Sequence, residues 1–118
     1  VAMMKHVQSL GIKAGIALLV DSQPDSYKQA VACADHVLLF GGKLGYHGGE
    51  ANLDVLQKVP IIQDINDTAE LGWDGGINAE NIHTLADAGI SVFNVGGFIQ
   101  KSEDPQAAYA ILEEIIKA

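Results

Sequence analysis

The apolar residues of this chain fall into four short runs, each followed by a stretch in which apolar residues recur at helical spacing. The runs cover residues 12–20, 36–40, 69–73 and 91–95. The first run shows little alternation between apolar and polar positions, which is typical of a strand covered on both faces in a parallel sheet. The pattern therefore predicts four strands that alternate with helices.

One predicted helix precedes the first strand. Residues 1–10 carry Val1, Met4, Val7 and Leu10 on one helical face, and Gly11 is expected to cap the end of that helix. A start inside a helix is normal for a piece of a larger domain, although the sequence alone leaves this open.

Helices are also predicted after each strand, and turn residues mark where they begin. These four helices are predicted to begin after residues 21–26, near Asn52, at Ala79 and at Asp104-Pro105. Pro60 is expected to kink or restart the second of them. Residues 98–100 can form a single helical turn. The side chains predicted to face inward are Tyr27, Ala30, Val31, Ala34, Leu53, Leu56, Val59, Ile62, Ile82, Leu85, Ala108, Ile111, Leu112 and Ile115.

This alternation predicts an α/β fold with a parallel sheet and right-handed crossovers. Residues 1–118 are expected to form a single domain, because no linker divides them. Two architectures fit four strand–helix units: a small open doubly wound sheet, or half of an eight-fold β/α barrel.

The stretch around Asp74 is the first candidate for chemistry. An apolar strand delivers this carboxylate to the edge of the sheet, and Gly75 and Gly76 follow it, which would let a ligand approach the backbone closely. The alternative is an ordinary turn in which Asp74 only caps backbone N–H groups. A second glycine turn, Gly96-Gly97, follows the next strand. Because barrels commonly bind phosphate in the loops after their last two strands, this pair favours the half-barrel.

Residues 41–49 form a second candidate, a loop with five glycines around one lysine and one histidine after the second strand. Loops at the carboxyl ends of parallel strands often contact ligands, so we expect a ligand-contacting loop. The alternative is a flexible surface connection.

Composition narrows the class of partner. The chain has 118 residues, of which 48% are hydrophobic, and a net charge of −8, with no cluster of positive charge to attract nucleic acid or anionic lipid. No apolar run reaches the roughly 18 residues that a membrane span needs. The single cysteine, Cys33, is expected to be a buried small hydrophobe in a reducing cytoplasm. We therefore expect a soluble cytoplasmic protein without nucleic-acid or membrane partners.

Four motifs in order resemble the C-terminal half of the ribulose-phosphate 3-epimerases. The resemblance covers essentially the whole chain. The matching stretches are Gly11-Ile12-Lys13-Ala14-Gly15-Ile16-Ala17, Gly45-Tyr46-His47-Gly48-Gly49, Trp73-Asp74-Gly75-Gly76-Ile77 and Ser102-Glu103-Asp104-Pro105. The resemblance implies half of a TIM (β/α)8 barrel of the ribulose-phosphate binding type.

The resemblance also implies roles for individual residues. Asp74 would be the seventh-strand carboxylate, which in the family ligates a divalent metal (zinc, iron or manganese) and is one of two acid/base groups. Phosphate contacts are implied from the backbones of Gly48, Gly75, Gly76, Gly96 and Gly97. The expected ligand is a sugar phosphate or inorganic phosphate. The implied reaction is a 1,1-proton transfer at the carbon next to a ketone.

Several departures from the family pattern limit what this chain can do alone. The second acid/base aspartate and the metal-binding histidines come from N-terminal strands, to which nothing here corresponds, so the chain alone can lack a metal. His6, His36 and His83 are expected to be surface or structural residues, and His47 also falls at no ligand position. A serine common in the last phosphate turn is replaced by Gly97, and Val20-Asp21-Ser22 replaces an Asn-Pro pair.

Three functional hypotheses remain from the sequence. The first is the C-terminal half of a sugar-phosphate epimerase, whose activity needs the other half and is absent from this chain alone. The second is a non-catalytic half-barrel module that self-associates as a homodimer, because its edge strands would otherwise be unpaired. The third is another barrel isomerase with the same phosphate turns, such as those of tryptophan or histidine biosynthesis.

Overall fold

The predicted parallel sheet is confirmed by a computed structural model, which describes residues 1–42 and 50–117. Its four strands are β1 (Gly15–Leu18), β2 (His36–Phe40), β3 (Glu70–Asp74) and β4 (Val92–Asn94), and each is parallel to its neighbour in the order β1-β2-β3-β4. Consecutive parallel strands in sequence order are the arrangement expected of consecutive β/α units of a barrel.

Helices connect the strands. They are α1 (Ala2–Ser9), α2 (Lys28–Cys33), α3 (Lys58–Ile65), α4 (Ile82–Asp87), α5 (Gly97–Gln100) and α6 (Pro105–Lys117), with 3₁₀ turns at Pro24–Tyr27 and Leu53–Gln57 before α2 and α3. Among the described residues, no helix has both the length and the apolar character needed to cross a bilayer.

The helices cover only one face of the sheet. Residues that alternate along the strands show this, because Val37 and Leu39 of β2 are fully buried while Leu38 and Phe40 between and after them are half-exposed. We call the uncovered side the open face. Its residues are Gly15, Ala17, His36, Leu38, Phe40, Glu70, Gly72, Asp74, Val92 and Asn94.

Strand β1 is shorter than the predicted residues 12–20. Pairing with β2 begins at Gly15, and Ala14 just before it is tied to Asp35 by hydrogen bonds in both directions, through its own N–H to Oδ2 and through its carbonyl from the Asp35 N–H. The other end stops at Leu18 because Leu19 and Ser22 already belong to a turn, closed by Ser22 N–H to Leu19 O at 3.0 Å. Strand β4 is also shorter than the predicted residues 91–95, because its pairing with β3 runs only from Val92 to Asn94.

Most of the side chains predicted to face inward do so, but the prediction is wrong for three of them. Tyr27, Leu53 and Ile111 are 50%, 40% and 50% exposed. Tyr27 and Leu53 lie in 3₁₀ turns, where 3.0 rather than 3.6 residues complete a turn, so a helical spacing misplaces them. Val1 and Leu10 flank α1 and are exposed too, and Cys33 is half-buried against the core rather than buried.

Local sequence signals mark several of the helix ends correctly. Gly11 and Gly89 follow α1 and α4 with φ of +80° and +114°, values that favour glycine. Asp104 Oδ1 accepts from Ala107 N at 3.2 Å and so caps α6. Pro60 lies in the first turn of α3, where its missing N–H has no helical partner, so the helix restarts just before it as expected.

Candidate functional site

Asp74 lies where the sequence places it, at the carboxyl end of β3. It belongs to the open face and is half-exposed. No hydrogen bond joins its carboxylate to any residue in the described ranges, so Asp74 caps no backbone N–H group there. The carboxylate is therefore available to a ligand or a proton.

The turn after Asp74 is held by a buried indole. Gly75 and Gly76 have φ of +118° and +69°, and the fully buried Trp73 donates from Nε1 to Gly75 O at 2.9 Å. A Cβ on Gly75 would lie 2.3 Å from Gly42 N, so this turn packs directly on the backbone that leaves β2. Only glycine at position 75 satisfies both the dihedral angle and this contact.

Two asparagines fix the other side of the same turn. Asn81 Nδ2 donates to Gly76 O at 2.8 Å, and Asn78 Oδ1 accepts from the backbone N–H groups of Glu80 and Asn81. The bonds explain why α4 begins at Ile82 rather than at the predicted Ala79, since Asn78 caps a turn that precedes the helix. Both carbonyls of the Gly75-Gly76 turn thus have side-chain donors.

The second glycine turn lies beside the first. Asp74 pairs with Asn94 across β3 and β4, so Gly75-Gly76 and Gly96-Gly97 follow neighbouring strands at the same edge. Space is open around Gly96, where a Cβ would meet nothing within 4 Å. Within the described ranges, the amides of these four glycines donate to no protein acceptor. Clustered free amides at one edge can bind an anion.

Gly48, the fifth glycine implied to contact phosphate, lies outside the described residues together with the rest of residues 43–49. The interpretation of that loop as a ligand-contacting segment therefore stays a prediction. Its two ends are described, and Asn52 N–H donates to Gly41 O at 2.7 Å, which places the end of the connection beside the carboxyl end of β2.

A buried lysine binds the backbone that follows β1. The sequence pattern did not predict its burial. Lys58 is 6% exposed, and its ammonium donates to the carbonyls of Leu19, Val20 and Ser22 at 2.7, 2.7 and 2.6 Å. Burial lowers the pKa of Lys58, an effect that the charge of Asp21 opposes. The lysine fixes the connection after β1, and no periodicity could reveal it, because its partners are 36 to 39 residues away in sequence.

The described part of the chain does not by itself supply a metal site. No three His, Cys, Asp or Glu side chains in these ranges are grouped so that they could hold an ion. His6 and His83 are exposed on helices, and His36 contacts Glu70 through Nδ1 at 2.9 Å, at the opposite end of β3 from Asp74. His6 and His83 thus lie on the surface, and His36 pairs with Glu70 away from Asp74.

Sequence comparisons point to one family. The model of the ribulose-phosphate 3 epimerase family matches residues 1–100. Ribulose-phosphate 3-epimerases of Mycobacterium tuberculosis and Helicobacter pylori are 30% and 33% identical to this chain over 116 and 117 residues, and each alignment covers 95% of it. The same alignments cover 51% and 54% of those proteins, so the chain spans about half the length of the curated relatives it matches.

Structural comparisons agree on the fold. A 3-hexulose-6-phosphate synthase from Salmonella typhimurium superposes with a TM-score of 0.72 at 18% identity, covering 96% of this chain and 53% of that one. KGPDC from Streptococcus mutans gives a TM-score of 0.71 at 15% identity, covering 98% and 53%. At these identities the likeness shows the fold alone, which is half of a TIM barrel.

Proposed function

Because the chain belongs to the ribulose-phosphate 3-epimerase family, we propose that it is the sugar-phosphate-binding half of an epimerase-like site in the cytoplasm. The observation that carries this proposal is the Asp74 carboxylate, which has no partner among residues 1–42 and 50–117, beside two glycine turns whose amides are free in the same ranges. The family match also supports this interpretation over the barrel isomerases of other pathways. Epimerase chemistry would need a further half-barrel, since the relatives are about twice as long.

In this proposal the glycine turns bind the phosphate and Asp74 moves a proton. A carboxylate at this place can take the proton from the carbon next to a ketone, leaving an enediolate. Inversion requires a second acid on the opposite face of that carbon, and one aspartate cannot lie on both faces. The second acid and the remaining ligands of a divalent metal would therefore come from the further half-barrel.

Phosphate binding can be tested without that second half, because its donors are backbone groups of this chain. Titration of the ¹⁵N-labelled chain with inorganic phosphate is expected to shift the amides of Gly75, Gly76, Gly96 and Gly97. The amide of Gly11, at the opposite end of the sheet after α1, is the internal control and should not move. If no turn amide shifts at millimolar phosphate, the anion site is not formed.

Catalysis is expected only when a second half is supplied. The chain alone, with zinc, iron or manganese added, should show no measurable epimerisation of ribulose 5-phosphate, because an acid and half of the pocket are missing together. Addition of the N-terminal half of a related epimerase should produce activity. Asp74→Asn should lower the rate of that reaction by about 10²-fold or more. Asp67→Asn, an exposed aspartate at the other end of β3, is the matched control and should retain it. Turnover by the isolated chain that is indifferent to Asp74→Asn would contradict the assignment.

Self-association as a homodimer is the second candidate function, and the open face supports it. Leu38, Phe40 and Val92 are only half-buried there, and β1 and β4 each have one unpaired edge among the described residues. Further apolar side chains are exposed near β4, where Tyr109 and Ile116 of α6 line a cleft of about 440 Å³. Burial of such surface favours association.

A further inference from the structure

Asn94 is a polar residue of the open face whose side chain stabilises no described part of the fold. It is exposed, and its side chain makes no hydrogen bond within the described ranges. Its direction follows from its neighbours: Phe93 and Val95 pack against the core under the helices, so Asn94 between them points to the open face. The carboxamide is therefore available to a ligand.

Asn94 is the direct neighbour of Asp74. The two residues are register partners across the parallel pair β3 and β4, about 4.8 Å apart and on the same face. On the other side of Asp74 lies the aromatic Phe40. The next row of register partners on this face is apolar and consists of Ala17, Leu38, Gly72 and Val92. Asp74 and Asn94 are thus the two polar side chains that the described strands place at the carboxyl end of the open face, whose other polar pair, His36 and Glu70, lies at the opposite end.

The chemistry of this pair suits a polyol better than a bare anion. A carboxylate only accepts hydrogen bonds, whereas a carboxamide both donates and accepts, so together they can hold neighbouring hydroxyl and carbonyl oxygens. Asn94 comes two residues before Gly96, a distance of about 7 Å along an extended chain, which a sugar of a few carbons can span from a phosphate at the turn. Gly97 offers no side-chain donor there, which leaves Asn94 as the nearest one on β4.

We propose that Asn94 positions the sugar of a bound sugar phosphate beside Asp74 and gives the site its preference for sugar phosphates over inorganic phosphate. This inference rests on the proposed function, because it requires the phosphate to bind at the glycine turns. Asn94 is a specificity-determining residue in this role, while the turns supply the affinity that both ligands share.

The test is the ratio of two affinities, measured by amide titration of the full chain with inorganic phosphate and with ribulose 5-phosphate. Asn94→Val, which keeps a strand-compatible side chain and removes both hydrogen-bonding atoms, should weaken ribulose 5-phosphate binding about 5- to 30-fold, as expected for one or two lost hydrogen bonds. Inorganic phosphate should bind as before, within about twofold. Asn94→Ser should recover part of the ratio, because a hydroxyl donates and accepts. Glu70→Gln, on the same face at the far end of β3, is the matched control and should leave the ratio unchanged.

The outcomes separate the two proposals. If phosphate shifts the turn amides but Asn94→Val and Asn94→Ser both keep the wild-type ratio, the role of Asn94 is overturned and the phosphate site stands. If neither ligand shifts the turn amides of the wild-type chain, the phosphate site fails and the role of Asn94 fails with it. A ratio that falls in Asn94→Val and in Glu70→Gln alike would indicate a general change of the open face and would also overturn the proposal.

Discussion

The indole of Trp73 and the carbonyl of Gly75 are joined by a hydrogen bond of 2.9 Å that spans only two residues. The same indole leaves no room for a side chain at Gly41, the residue directly after β2, because a Cβ there would fall 1.9 Å from Trp73 Cζ2. One buried side chain thus couples the ends of β2 and β3. The backbone that presents Asp74 is held in place by this hydrogen bond and this packing.

Trp73→Phe should therefore loosen the turn while keeping an aromatic core. The change removes the donor to Gly75 O and leaves a small cavity, for which we expect a loss of about 2–4 kcal/mol in the free energy of unfolding. Urea denaturation measures the loss, and hydrogen exchange at Gly75 and Gly76 should accelerate. A loss below about 0.5 kcal/mol with unchanged exchange would contradict the coupling.

Glycine substitutions give a matched pair for the same contact. Gly41→Ala should strongly destabilise the chain, because the new Cβ would overlap the indole of Trp73, which is fully buried and cannot move away. Gly96→Ala should change stability by less than about 0.5 kcal/mol, since its Cβ would meet nothing within 4 Å and its φ of −105° is ordinary for alanine. Thermal melts of the two variants decide the matter, and equal melting temperatures would refute the packing argument.

The buried Lys58 is expected to stabilise the connection after β1. Lys58→Met keeps most of the apolar stem but leaves three carbonyls without their donor, so we expect a loss of about 2–3 kcal/mol and faster hydrogen exchange at residues 19–22. Lys28→Met is the control, because Lys28 is exposed and should tolerate the change. If the two variants unfold at the same urea concentration, the three hydrogen bonds contribute nothing measurable.

Hydrophobic pattern and turn chemistry predicted the order of elements, and they also placed Asp74. They could do so because buried strands read as apolar runs, and because glycine and Asp-Pro signals are local. No local pattern encodes the hydrogen bonds of Lys58 or the contact between Trp73 and Gly41, because both join residues that are distant in sequence. Ile111 was misplaced since apolar spacing marks a helical face without saying what covers it.

Asp35 makes stability depend on pH at the acidic end. Hydrogen bonds from the Ala14 N–H and from Gln8 Nε2 hold the pKa of Asp35 below its usual value of about 3.8. A pKa lowered by folding means that the contribution of Asp35 is complete above the pKa of the unfolded chain and is lost as pH falls through the folded value. A ¹³C titration of the carboxyl group should give a midpoint below the usual value. Gln8→Ala should raise that midpoint, and a midpoint at or above the usual value in the wild-type chain would contradict the assignment.

The arrangement of the helical layer bears on how two copies could associate. Helices α1, α2, α3, α4 and α6 cover four strands, whereas a closed barrel has one helix for each strand. Helix α1 lies beside α2 at the β1 end, since Gln8 donates to Cys33 O, and α6 lies with α4 and α5 at the β4 end. If β4 of one copy paired with β1 of another, α6 and the second α1 would compete for one position. We therefore expect a homodimer to bury the apolar side chains in the middle of its open faces, such as Leu38 and Val92, rather than close as an eight-stranded barrel, with the carboxyl edge that carries Asp74 and Asn94 left open to a ligand.

A charge on the open face tests this arrangement. Leu38→Glu puts a carboxylate in the middle of that face, and we expect it to convert a dimer into a monomer in light scattering at micromolar concentration, because burying an unpaired charge costs several kcal/mol. Met3→Glu adds the same charge to α1, where Met3 is 80% exposed, and should leave the dimer intact. A dimer that survives Leu38→Glu but dissociates in Met3→Glu would place the contact at the α1 edge and contradict the face-to-face arrangement. A wild-type chain that is monodisperse as a monomer would refute self-association itself.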